Sequence, residues 1–204
     1  MIKNVIFDFG DVFVNLDKPA TFDVLFKLGV EEITEEMMEI SYLYEMGKIT
    51  TEEFVSKFTE KYPNISAQQF MDAWNAILKD FPLHRLDFLK ELAASKKYRL
   101  FLLSNTNELH ISWIQNDWGL PLYEEFKSCF EQFYLSHEIH FRKPNADIFE
   151  FVLQENGLQA NETFFIDDTT ANTDMAASLG IHVWNNNPET EDVVDLLSRK
   201  EFRS

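Results

Sequence analysis

At 204 residues, with 45% hydrophobic content and 20 phenylalanines, the chain has enough apolar side chain for one substantial core and a small added lobe. Its net charge of −17, from 35 acidic against 18 basic residues and no basic block, opposes binding to nucleic acid or to an anionic membrane. No apolar run approaches bilayer-spanning length, Met1 leads almost directly into a strand with no room for a leader, and Cys129 has no partner for an internal disulfide, so the expectation is a cytoplasmic protein in a reducing compartment. Cys129, in SCFEQFY, reads as a small core residue.

The first element is a buried strand over NVIFD within KNVIFDFGDVFVNLD; Asp8 ends it, and Gly10 stands two residues on with Asp11 beside it. From residue 18 to about 81 the pattern is helical throughout: KPATFDVLFKLG closed by Gly29, TEEMMEISYLYEMG closed by Gly47, TTEEFVSKFTEKY closed by Pro63, and SAQQFMDAWNAILKDF closed by Pro82. The third helix opens on a capping box from Thr50 to Glu53 stapled by Ile49 and Phe54; the fourth repeats the device with Ser66, Gln69, Ile65 and Phe70. After Pro82 helix and strand alternate: helix LHRLDFLKELAASKK, strand YRLFLLSN, helix NELHISWIQNDWG, strand FEQFYLS, helix NADIFEFVLQENG, strand ETFFID, helix ANTDMAASLG and strand IHVWN. Buried strands separated by helices predict an α/β fold with a doubly wound parallel sheet. NVIFD belongs to that sheet, so the core reads as residues 1–16 and 83–204, with a small all-helical insertion over 17–82.

In such sheets ligands bind at the carboxyl ends of the strands. Asp8, the pair Ser104 and Asn105, and the pair Asp167 and Asp168 each end a predicted strand, and Lys143 in FRKP follows another through a loop, with Pro144 expected to fix the start of the next helix. Taken singly, each is better explained as a cap, a turn residue or a solvated lysine; their arrival in order at one edge sets them apart. Asp8, Asp167 and Asp168 offer hard oxygen ligands with no nearby thiol or imidazole, which suits magnesium. Ser104, the amides around Asn105 and the Lys143 ammonium suit a phosphate. Together they describe phosphoryl transfer with Asp8 as nucleophile, through an aspartyl phosphate that water releases.

The stretches VIFDFGDVFV, FLLSN, RKP and FFIDDTTAN resemble the four motifs of the haloacid dehalogenase superfamily, mostly magnesium-dependent phosphatases with a Rossmann-like core and, in one branch, a helical cap after the first motif. LSNTNELH and YLS…RKPNADIF are similar to a bacterial branch acting on sugar phosphates, including glucose 1-phosphate. The resemblance implies Asp8 as nucleophile, Ser104 on the transferring phosphoryl group, Lys143 steadying nucleophile and phosphate, Asp168 as metal ligand with Asp167 as a supporting acid, and Asn172 holding that loop. The family's second aspartate, two residues after the nucleophile, is here Gly10. That position lends the metal a backbone carbonyl, which glycine retains, and a general acid and base, which glycine lacks. On an extended path Asp11 points away from residues 8 and 10, although the turn after Asp8 can re-aim it in support.

The expected function is therefore a magnesium-dependent phosphatase of small phosphorylated metabolites, sugar phosphates foremost, acting without nucleic-acid or membrane partners as a monomer or weak dimer. A metal-free dehalogenase and a catalytically weak binding protein of the same fold are the alternatives; the first leaves the paired acids beside a carboxylate nucleophile with no cation. Tyr42, Tyr44, Glu45 and Trp74 are candidates to face the substrate from the insertion, and His110 to reach the leaving group.

Overall fold

Val5, Ile6 and Phe7 are fully buried, and alternation along the strand sends Val5 and Phe7 into one apolar layer and Ile6 into another. Only a sheet covered on both faces accommodates such a strand. The computed structural model describes residues 1–203, among which five parallel strands form one sheet: β1 (Asn4–Phe7), β2 (Arg99–Ser104), β3 (Gln132–Leu135), β4 (Thr163–Asp167) and β5 (His182–Asn185), in the order β3-β2-β1-β4-β5. Asn4, the one polar residue of β1, gives its amide to the Thr163 hydroxyl at 3.2 Å and the Glu162 carbonyl at 3.3 Å.

Between β1 and β2 lie α1 (Ala20–Lys27), α2 (Glu35–Glu45), α3 (Thr51–Lys61) and α4 (Ala67–Asn75), followed by α5 (Leu83–Ser95). The first four enclose an apolar cluster of their own, built on Leu25, Tyr44, Phe54, Phe58, Ile65 and Phe70. Both capping boxes form, Thr50 with Glu53 and Ser66 with Gln69. α4 is shorter than its periodicity predicts, because the following residues pair with the other connection instead: Asp17 donates to Ile77 at 2.8 Å, Lys79 to Asn15 at 3.0 Å and Asn15 to Asp80 at 3.0 Å. The two chain crossings thus zip into a short antiparallel ribbon.

Leu86, Leu89 and Leu92 of α5 cover one face of the sheet together with α6 (Glu108–Trp118) and α7 (Leu120–Lys127). The sequence pattern gives no separate sign of α7, because Gly119 ends α6 and starts α7 with no loop between. The short α8 (Ser136–Ile139) follows β3; α9 (Ala146–Glu155) and α10 (Thr170–Ser178) cover the opposite face, and α11 (Lys200–Arg203) closes the described chain. Pro144 does not start α9: Asn145 is its N-cap, and the Lys143–Pro144 peptide is cis. Cys129 is half-buried at the edge of the first layer, its thiol on the Glu125 carbonyl, rather than inside the core.

The end of α2 is bolted to the segment after β3. Ser136 Oγ donates to the Glu45 carbonyl at 2.6 Å, and His140 Nδ1 meets the Met46 carbonyl at 2.9 Å. Gly47 makes this approach possible: its φ is +61°, and a Cβ there would fall 2.0 Å from the His137 carbonyl oxygen.

Candidate active site

β1 is central, with β2 on one side and β4 on the other, so the sheet's switch point opens a crevice at their carboxyl ends. Asp8 follows β1, Asp167 ends β4, and the loop after β3 carries Lys143 to the same place. The Lys143 ammonium, buried, donates to Asp8 Oδ1 at 2.6 Å, to Asp167 Oδ2 at 2.7 Å and to the Leu103 carbonyl at 2.8 Å. All three protons are used, so the nitrogen is held at a fixed point.

The second tier explains that rigidity. Asn105 clamps the backbone of Lys143 from both sides, its Oδ1 accepting from the Lys143 N–H and its Nδ2 donating to the Lys143 carbonyl, each at 2.9 Å. The Asn105 side chain is thus committed to Lys143 at both amide ends, so any phosphate contact from this position falls to the amides around it, as expected from the sequence. Ser104 is freer; among the described residues its buried hydroxyl bonds only the Asn105 carbonyl, at 3.5 Å. Asp167 accepts from Thr169 N at 2.8 Å, from Asn172 Nδ2 at 3.0 Å on each oxygen, and from Lys143. Three donors make these four hydrogen bonds and fill its acceptor positions, Asn172 supplying two of them from the first turn of α10.

Asp8, Asp167 and Asp168 present carboxylate oxygens all within 4.8 Å of one another. This all-oxygen donor set fits magnesium. Burial pushes the Asp8 carboxyl up to about 7, with Lys143 opposing and Asp167 and Asp168 adding to the rise. Burial also raises Asp168, against Lys18. For Lys143 burial disfavours the charge, yet Asp167 and Asp8 outweigh it and the ammonium is held above its ordinary value.

Lys18 is a site residue the sequence did not reveal. It bridges Asp168 and Asp11, the latter at 3.0 Å, across a separation that nothing in the linear pattern signals. Arg85 is another: buried, it holds the Phe13 carbonyl at 3.1 Å and Asn15 Oδ1 at 2.9 Å, fixing the loop that follows Asp8. Asp11 adopts φ +54°, accepts from Leu16 N at 2.9 Å, and turns toward Lys18 and Asp168; among the described residues no hydrogen bond or ion pair joins it to Asp8. Gly10 has no left-handed φ, and a Cβ there would come 2.6 Å from Leu16 Cδ1, the movable end of a side chain.

His110 does not face the reacting edge. Its Nε2 donates to the Trp74 carbonyl at 3.2 Å, its Nδ1 accepts from Asn107 at 3.2 Å, and burial lowers it to about 4, so the ring is neutral at pH 7. A cavity of about 870 Å³ runs from Lys18, Leu16 and Arg142 into the helical lobe. Tyr42, Glu45 and Trp74 line it. Tyr44 does not: its ring stacks on Phe54, and its hydroxyl meets Thr51 and the Leu109 N–H.

A family model of haloacid dehalogenase-like hydrolases matches residues 5–185. The chain belongs to this family. Among curated haloacid dehalogenase relatives it is 27% identical to a D-ribitol-5-phosphate phosphatase of Bacteroides thetaiotaomicron over 90% of this chain and 91% of that protein. Of solved structures, a haloacid dehalogenase family enzyme of the same organism, crystallised with magnesium, superposes with a TM-score of 0.85 at 35% identity over 97% of this chain and 99% of that one. An aspartate-to-alanine mutant of that enzyme holds magnesium and inorganic phosphate, with a TM-score of 0.81 at 33% identity over 98% of this chain and 100% of that one. A predicted haloacid dehalogenase-like hydrolase of Porphyromonas gingivalis gives 0.84 at 31% identity, covering 97% of each chain. Among the described residues no helix is long and apolar enough to cross a membrane.

Proposed function

We propose that this hydrolase is a magnesium-dependent phosphatase of small phosphorylated sugars or polyols, with residues 1–16 and 83–204 as catalytic core and 17–82 as cap. The observation that carries the reading is a charge imbalance. Four carboxylates, Asp8, Asp11, Asp167 and Asp168, converge on two ammonium groups, Lys18 and Lys143; with all four ionised two negative charges remain, the complement of one magnesium ion. Asp8, Asp168 and the Gly10 carbonyl are its assigned ligands, and Asp167, whose acceptor positions are full, supports Lys143 and the loop. When bound, magnesium supplies positive charge for the phosphoryl oxygens.

Asp8 attacks phosphorus with a carboxylate oxygen while the ester oxygen departs with the bonding pair, giving an aspartyl phosphate. Lys143 holds the other side of Asp8 and faces the charge of the phosphoryl group; the Ser104 hydroxyl is placed to donate to it. Water then attacks phosphorus and releases inorganic phosphate, restoring Asp8. Neither candidate stands in for the acid missing at Gly10: Asp11 is tied to Lys18 and Leu16, and His110 to Trp74 and Asn107.

The rate should therefore depend steeply on the leaving group. By that argument glucose 1-phosphate, an anomeric ester, is favoured, whereas the ribitol phosphate named for the curated relative is a primary-alcohol ester. The test is kcat/KM over phosphate esters of graded leaving-group pKa, with magnesium and with chelator, for the unaltered protein and for Gly10→Asp. A steep slope is expected, flattening in the variant as Leu16 moves aside, since general acid catalysis contributes about 10²- to 10⁴-fold. Release of phosphate at undiminished rate under chelation would remove magnesium from the account, and a shallow slope in the unaltered protein would mean that an acid is already in place.

A further inference from the structure

We propose, resting on the phosphatase reading, that Arg142 and Glu45 together read a hydroxyl on the carbon next to the phosphoester carbon, and so select phosphorylated polyols and sugars over esters without one. Arg142 immediately precedes Lys143, whose backbone is clamped by Asn105 and whose ammonium holds Asp8. Arg142 also lines the same cavity as Lys18, which pairs with Asp168, whose carboxylate lies within 4.8 Å of those of Asp8 and Asp167, so the cavity joins Arg142 to the reacting edge.

Its guanidinium is equally constrained. Nε donates to Glu45 Oε2 at 2.7 Å, Nη1 donates to the Lys143 carbonyl at 3.0 Å, and the plane lies over the Tyr42 ring at 4.1 Å. Tyr42 and Glu45 are three residues apart on α2 and so share a face. Among the described residues, Nη2 of Arg142 and Oε1 of Glu45 have no protein partner. The pair therefore offers one donor and one acceptor side by side, and a hydroxyl group satisfies both at once, accepting from the guanidinium and donating to the carboxylate.

The surroundings sharpen the assignment. All three side chains line the cavity that leads from the reacting edge into the cap, and Arg142 and Glu45 are each about a quarter exposed, at 24% and 22%. Much of the nearby wall is apolar, with Leu16, Leu25, Trp74 and Ile77, and Lys18 at the same mouth is committed to Asp11 and Asp168. Other charged groups of the lining, Glu36, Lys57, Glu60 and Lys61, belong to α2 and α3 alone, whereas Arg142 and Glu45 join the cap to the loop that carries Lys143. Ribitol 5-phosphate and glucose 1-phosphate both carry a hydroxyl on the carbon in question; aryl and simple alkyl phosphates do not. A site whose polar groups are left unpaired discriminates strongly, and partial exposure moderates the effect to roughly 10- to 100-fold.

The experiment measures magnesium-dependent kcat/KM for ribitol 5-phosphate, its analogue deoxygenated at the neighbouring carbon, and phenyl phosphate, in the unaltered protein, Arg142→Met, Glu45→Ala and Glu45→Gln. Arg142→Met keeps the apolar stem; Glu45→Gln keeps an acceptor. The unaltered protein should prefer ribitol 5-phosphate to the deoxygenated analogue by 10- to 100-fold. That preference should collapse in Arg142→Met and Glu45→Ala and survive in part in Glu45→Gln. Equal losses on all three esters would make the pair a cap latch and overturn its reading of the hydroxyl. Equal rates on hydroxylated and deoxygenated esters in the unaltered protein would likewise overturn the inference while leaving the phosphatase intact, whereas no phosphate from any ester would overturn the phosphatase reading itself.

Discussion

Lys143 is 1% exposed and sits between the carboxylates of Asp8 and Asp167. Lys143→Ala should destabilise the protein by about 3–5 kcal/mol in urea denaturation, because Asp8 and Asp167 lose their shared cation, and adding Asp8→Asn should restore part of that loss. No recovery in the double variant would show that the cost lies in packing. Asp8 itself yields a pH prediction. Its folded value of about 7 exceeds the ordinary 3.8, so between those values the folded state holds the proton more tightly than the unfolded chain. The Asp8 contribution to the stability of metal-free protein must therefore decline as pH rises through that window. Magnesium competes with the same proton, so calorimetric titration should find its affinity increasing by up to about tenfold per pH unit below 7 and levelling above it. A flat profile would mean that Asp8 is ionised without the metal. Asp8, Asp167, Asp168 and Lys143 were legible because a residue at the end of a buried strand has few duller reasons to be charged in concert with others. Lys18 and Arg142 were not, since surface-type residues in connecting segments acquire a role only through neighbours brought in by the fold.

Among the elements, the helices of the insertion were legible from their periodicity and their paired capping boxes, whose reciprocal bonds require only residues three apart. The true end of α4 was not, because what stops it is a backbone ribbon with residues 15–17, far away in sequence. The bolt between α2 and α8 was equally hidden. Gly47 and Gly157 have matching φ values of +61° and +62°, but a Cβ at Gly157 meets nothing within 4 Å while one at Gly47 collides with the His137 carbonyl. Gly157→Ala should thus cost only its backbone strain, about 1 kcal/mol, and Gly47→Ala at least about 1 kcal/mol more. Equal shifts in urea midpoint for the two variants would show that the helical insertion yields freely at this seam.

Across the whole molecule, the strand order places β1 between β2 and β4 and so gathers residues from four chain segments at one edge of the sheet. Alternating helices and buried strands made that architecture readable, since an all-parallel sheet leaves few ways to cover both faces. The corner where Arg142 meets Glu45 was unreadable, because it exists only when the helical insertion folds back onto the core. The account as a whole rests on Asp8 forming a bond to phosphorus, in contrast to a dehalogenase, whose aspartate attacks carbon. The direct measurement is mass spectrometry of peptides from enzyme acid-quenched during turnover of an aryl phosphate with magnesium. A phosphoryl group on Asp8 is the predicted result; a phosphoryl group on another residue, or none on the protein while phosphate is being released, would contradict it.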